Sequence, residues 1–78
     1  MIVKILGSGC TKCRNLEQRL LEIRSKNNLD FEIEKISRLE DIMDYGVMMT
    51  PGLVIDGEIK SVGRVPNEAD LLNWLKEG

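Results

Sequence analysis

Residues 1–6, Met1-Ile2-Val3-Lys4-Ile5-Leu6, make an apolar, β-branched run broken only by Lys4. Such a run predicts a short central strand covered on both faces. Gly7-Ser8-Gly9 ends it in a flexible turn. The apolar period then changes. Cys13, Leu16, Leu20 and Ile23 recur every three or four positions and predict the core stripe of a helix running from about Cys10 or Thr11 to Lys26. Arg14, Glu17, Gln18, Arg19 and Glu22 fall on or near its wet face. Asn27-Asn28 stops it, because Asn accepts left-handed backbone after a helix end.

Period two follows. Leu29, Phe31 and Ile33 alternate with Asp30, Glu32 and Glu34, which predicts a strand with one polar face at a sheet edge. Ser37-Arg38-Leu39-Glu40 reads as a capping box. Leu39, Ile42 and Met43 supply the stripe of a short second helix that Gly46 ends. Leu53-Val54-Ile55 and Glu58-Ile59-Lys60-Ser61-Val62 flank Asp56-Gly57, a strong hairpin signal because both turn residues need positive φ. Gly63-Arg64-Val65-Pro66 is a loop, and Asn67 caps a last helix over Glu68–Lys76 with Leu71, Leu72 and Leu75 inward. Trp74 reads as core or partly exposed packing. The order is β-α-β-α-β-β-α. The first βαβ unit is a right-handed parallel crossover, and the hairpin adds two antiparallel strands. The expected class is α/β, a four-stranded mixed sheet with helices on both faces.

Composition narrows the function. Seventy-eight residues suit one domain, 1–78. Eleven basic against thirteen acidic residues leave a net charge of −2, a poor footprint for nucleic acid. With one Phe, one Tyr and one Trp, base-stacking platforms are not expected. The absence of histidine removes Ser-His and Cys-His hydrolase sites and His-ligated zinc. No apolar run approaches the ~18–20 residues of a membrane helix, and the N-terminal run does not read as a secretion signal. A cytoplasmic, reducing setting is expected.

Two cysteines remain as nucleophiles, in Cys10-Thr11-Lys12-Cys13. A disulfide there closes a four-residue loop and contributes roughly 2 kcal/mol at best, so stability is a poor reason for it. In a reducing compartment the pair reads as redox or metal chemistry. Residues i and i+3 share a helix face with Cβ atoms about 5–6 Å apart, so closure needs little backbone movement. Cys10 is predicted at the helix N-terminus, beside unpaired N–H groups and the positive end of the dipole. Lys12 and Arg14 add positive charge, and all three favour thiolate. Cys13 belongs to the apolar stripe, where burial keeps it protonated until Cys10 has reacted. Cys10 then attacks a substrate disulfide, Cys13 resolves the mixed disulfide, and an external reductant reopens the internal bond.

Three stretches carry a family likeness: Gly7-Ser8-Gly9-Cys10-Thr11-Lys12-Cys13, Tyr45-Gly46-Val47-Met48-Met49-Thr50-Pro51, and Val54-Ile55-Asp56-Gly57 through Gly63-Arg64-Val65-Pro66. Through them the chain resembles the thioredoxin/glutaredoxin superfamily. It is especially similar to the small archaeal and bacterial thioredoxin-like proteins called redox-active disulfide proteins. The resemblance implies a thioredoxin-like fold, a cis Pro51 opposite the cysteines, and a Thr50 backbone that pairs with a bound substrate strand. Beside them it places Met49 and Gly63 at the substrate, and it leaves Lys12 as a pKa-tuning residue. It implies no cofactor beyond the redox-active Cys10–Cys13 disulfide and no metal. The implied partners are protein disulfides and a thioredoxin-reductase-like electron donor, with the chain acting as a monomer away from membranes.

The chain also departs from the pattern. Thr11-Lys12 is neither the Gly-Pro of thioredoxins nor the Pro-Tyr of glutaredoxins, and no Trp precedes Cys10. No acidic residue matches the buried carboxylate that assists the resolving cysteine. Gly63-Arg64 stands where the glutathione-binding pattern has Gly-Gly. Three other readings accompany the redox one: an inert buried pair, a C-x-x-C metal-trafficking module, and a binding module on the same fold without turnover. Soft thiolates suit Cu(I) and zinc. Copper-chaperone domains, however, read β-α-β-β-α-β and end in a strand. Met48-Met49 reads either as core filling or as a soft apolar rim around the site, and Arg64 as a surface loop residue.

Overall fold

Seven elements follow one another in the computed structural model: strand β1 (Ile2–Leu6), helix α1 (Thr11–Lys26), β2 (Glu32–Ile36), α2 (Leu39–Asp44), β3 (Gly52–Ile55), β4 (Glu58–Val62) and α3 (Glu68–Glu77). The structure describes residues 1–77, so Gly78, the last residue of the expected 1–78 span, lies outside the described residues. The strands form one sheet in the order β2-β1-β3-β4. β1 runs parallel to β2 and antiparallel to β3, and β3 is antiparallel to β4. The chain is thus the expected α/β arrangement with a mixed sheet.

Alternation along the two central strands decides which helix packs where. Val3 and Ile5 of β1, with Leu53 and Ile55 of β3, point to one face. There they meet Leu16, Leu20 and Ile23 of α1 and Leu71 and Leu75 of α3. Leu6 and Val54 point to the other face and meet Ile42 of α2 and Val47. Trp74 packs half-buried against the first cluster. Local signals end the elements as their chemistry predicts. Asn28 takes φ 52 after α1. Asp56 and Gly57 take φ 49 and 84 in the hairpin turn. The Asn67 side chain accepts the Asp70 N–H at 2.8 Å and caps α3.

Four expectations need correction. The β2 strand starts at Glu32, so Leu29 and Asp30 lie in the connection, while Phe31 is buried just ahead of the strand. The capping box does not form. Arg38, not Ser37, is the N-cap of α2 and makes no side-chain cap bond, and Glu40 pairs with the Arg38 guanidinium at 3.4 Å. Because the helix begins one residue later than the box requires, Glu40 stands at its second position and cannot reach back. The stripe of α2 is mostly open: only Ile42 is buried, while Leu39 is 70% and Met43 63% exposed. Six residues give under two turns, too little surface to bury a full apolar face. On α1, Glu17 and Arg19 are part-buried, not wet. Arg19 reaches the Pro66 carbonyl at 2.8 Å, and Glu17 pairs with Lys35 of β2.

Candidate active site

The turn after β1 delivers the two cysteines to opposite environments. Gly9 takes φ 85 and swings the chain into α1. Cys10 is the N-cap of that helix, with extended backbone (φ −67, ψ 168), and its Sγ accepts the Cys13 N–H at 3.4 Å. A cap sulfur therefore takes the place that a Ser or Asp oxygen usually fills. The first turn of α1 contains no acidic residue, so no carboxylate there opposes a thiolate. Cys10 is exposed, Cys13 is 6% exposed, and both are free thiols.

Their acidities diverge accordingly. Cys10 is held below the ordinary thiol value, chiefly by the Cys13 S–H and then the Cys13 N–H donating to its sulfur, with smaller help from the Thr50 side chain. Burial is the first cause that pushes Cys13 above that value, and its hydrogen bond to Cys10 is the second. Lys12 is exposed and does not figure among the groups that lower Cys10.

Backbone closeness makes this packing possible. Gly7 is buried at the end of β1 and donates its N–H to the Ile36 carbonyl at 2.9 Å. A Cβ added there would drive into the Cys13 Sγ, far inside van der Waals contact. The Cys13 sulfur thus lies flat against main chain. Sequence alone marks Gly7 only as part of a turn. The useful signal is that an apolar strand ends on a glycine six residues before a stripe cysteine.

The other four expected site residues meet on the opposite rim. The Thr50-Pro51 bond is cis, and Pro51 is buried. The Pro51 carbonyl accepts the Gly63 N–H at 2.9 Å, and a Cβ on Gly63 would come within 3.1 Å of the Met49 Cβ. Thr50 links this cluster to Cys10 through its side chain. The structure therefore brings Cys10, Cys13, Thr50, Pro51, Met49 and Gly63 together, and leaves Lys12 and Arg64 exposed. Met48 is 95% exposed and does not fill core. It borders an apolar groove of about 410 Å³ that Leu39, Ile42, Met43, Val47 and Thr50 complete.

Metal chemistry finds few ligands here. Among the described residues, no group of three or more Cys, Asp or Glu is placed to hold a metal ion, where a mononuclear zinc wants about four ligands. No helix is long and apolar enough to cross a membrane among those residues.

Comparison with known proteins agrees with this geometry. The family model described as the thioredoxin domain matches residues 1–76. A thioredoxin of Methanothermobacter thermautotrophicus is 37% identical over 75 residues, covering 96% of this chain and 97% of that protein. A thioredoxin of Methanocaldococcus jannaschii is 28% identical over 76 residues, covering 97% and 87%. Among solved structures, thioredoxin-2, described as a component of malaria parasite protein secretion machinery, superposes with a TM-score of 0.71 over 99% of this chain and 82% of its own. At 14% identity that likeness concerns the fold alone.

Proposed function

Because the chain belongs to the thioredoxin family, as the match over residues 1–76 shows, we propose that it is a thiol–disulfide oxidoreductase with Cys10 as nucleophile and Cys13 as resolving thiol. One observation carries the assignment: the two sulfurs differ in both access and acidity. Cys10 is exposed and its thiol is acidified, while Cys13 is buried and its thiol is weakened as an acid.

The chemistry follows from that difference. The Cys10 thiolate attacks one sulfur of a protein disulfide, and the other substrate sulfur leaves as thiolate. Cys10 is now bonded and can no longer accept the Cys13 S–H. Cys13 loses its proton, attacks the Cys10 sulfur, and releases the second substrate sulfur as thiolate. The product is reduced substrate and a Cys10–Cys13 disulfide, and the two electrons have passed to the substrate. A thioredoxin-reductase-like dithiol donor returns them. Thr50 and Pro51 hold the substrate chain over the sulfurs, with Met49 and Gly63 beside it. The exposed methionines give that rim a soft apolar surface that adapts to varied partners.

Insulin reduction with dithiothreitol as electron source tests the reading. Wild type is expected to accelerate insulin precipitation, and Cys10→Ser to fall to the uncatalysed rate. Full acceleration by Cys10→Ser, or none by the wild type, overturns the proposal.

A further inference from the structure

The thirteen carboxylates of this acidic chain are unevenly spread. Three stretches build the site: residues 7–16 with both cysteines, 45–53 with Met49, Thr50 and Pro51, and 61–67 with Gly63. None of them contains an Asp or Glu, but they do contain Lys12, Arg14 and Arg64, all exposed. Lys12 lies in the first turn of α1, two residues after Cys10. Arg14 lines a small hollow together with Gly9 and Cys13. Arg64 follows Gly63, whose N–H is held by the Pro51 carbonyl at 2.9 Å. Among the described residues none of these three cations has a carboxylate partner, whereas the other basic residues, Lys76 apart, each hold a hydrogen bond or an ion pair within the chain. Lys35, which borders the same hollow, is matched by Glu17 at 3.3 Å. The groove beside Thr50 is lined by uncharged residues alone. A chain of net charge −2 thus presents an uncompensated positive rim around its exposed sulfur.

From this arrangement we propose that Lys12, Arg14 and Arg64 form a basic rim that selects protein disulfides flanked by Asp or Glu. The inference rests on the exchange reaction proposed above and names the substrates of that same site. A cleft edged by one sign of charge concentrates partners of the other sign at its mouth and raises their rate of encounter. Carboxylates beside a disulfide also repel an attacking thiolate, and cations close to Cys10 offset that repulsion. Lys12 and Arg14 come from α1 and Arg64 from the loop after β4, so the charges reach a substrate chain over Thr50 and Pro51 from both rims. Lys12 does not figure among the groups that acidify Cys10, which leaves its charge for the partner. Ion pairs between exposed side chains contribute little to stability, so a fold loses little by keeping these three unpaired.

Three short peptides test this, alike except that Asp, Ser or Lys stands on both sides of one cysteine, each supplied as its symmetrical disulfide. Their reduction by the dithiol protein is followed by quenched-flow chromatography. Each rate is divided by that of dithiothreitol on the same peptide, which removes the peptides' own reactivity. At about 0.01 M salt, wild type is expected to reduce the Asp peptide on the order of tenfold faster than the Lys peptide, and at about 1 M salt the ratio should shrink toward one. Lys12→Glu combined with Arg64→Glu should reverse the order, slowing the Asp peptide and speeding the Lys peptide. A double variant that slows all three peptides by one factor overturns the proposal, because the cations would then act on the Cys10 thiol and not on the partner. Equal wild-type rates on the Asp and Lys peptides at low salt overturn it as well. Reduction of none of the three instead refutes the exchange reaction itself. Arg64→Gln alone should lower the Asp-to-Lys ratio part of the way, and this change at one exposed residue keeps the test open should the double variant fold poorly.

Discussion

The two faces of the sheet are built to different standards. On one, α1 and α3 close over a continuous core in which Leu16, Leu20 and Leu71 are wholly excluded from water. On the other, the short α2 covers only Leu6, Ile42, Val47 and Val54, and leaves Leu39 and Met43 standing in solvent beside an open apolar groove. Both faces draw on the same residue types. What differs is helix length: sixteen and ten residues against six. Apolar residues on a long helix become stability, and on a short one they become surface. The cysteines sit at the seam, with Cys13 anchored in the thick face and Cys10 outside it.

The largest effect that would break this contrast is expected at Leu20. Leu20→Ala removes a wholly buried side chain from the α1 stripe and should cost about 2–5 kcal/mol in urea unfolding. A loss under about 1 kcal/mol would mean that the thick face is not the stabilising one. A smaller effect, on chemistry and not on the fold, is expected at the seam. The acidified Cys10 should still react with iodoacetamide at pH values below the ordinary thiol range, with the rate falling only as pH drops through its lowered pKa. Cys13→Ala deletes the S–H that is the first cause of that lowering, so the fall-off should move to higher pH. An unmoved profile would assign the acidity to the helix end instead. The smallest effect is expected at Met43. Met43→Ser on the open face should change stability by no more than about 0.5 kcal/mol, read from the same unfolding curves. A loss of about 2 kcal/mol would show that the thin face is closed in solution.

Much of this was legible in the chain. The stripe Cys13-Leu16-Leu20-Ile23, the Asp56-Gly57 turn and the Asn67 cap are local signals, and each appears in place. Period and turn chemistry act over a few residues and need no partner to be read. The misreadings occur where tertiary packing decides. Ser37 and Glu40 have the spacing of a capping box, but the helix starts one residue later and Arg38 takes the carboxylate. Leu39 and Met43 have the period of a buried stripe, but no element covers them. At the site, C-x-x-C identifies the sulfurs, whereas the help that Thr50 gives in lowering the Cys10 pKa comes from far along the chain, where no local spacing announces it. Glu17 falls at the wet edge of a helical wheel, and only its pairing with Lys35, eighteen positions along the chain on β2, turns it inward.

The far end of α1 is clasped on three sides. Arg24 donates to the Phe31 carbonyl at 3.1 Å and rests over the Phe31 ring, Asn27 turns back onto the Ile23 carbonyl at 3.0 Å, and Lys26 meets Glu68 of α3 at 3.4 Å. At the near end Gly9 has nothing within 4 Å of where a side chain would begin. Room at the near end is thus confined to the approach to Cys10, since Cys13 one turn in stays buried against Gly7. A bulkier residue in place of Gly9 would therefore meet the backbone strain of φ 85 and no steric neighbour.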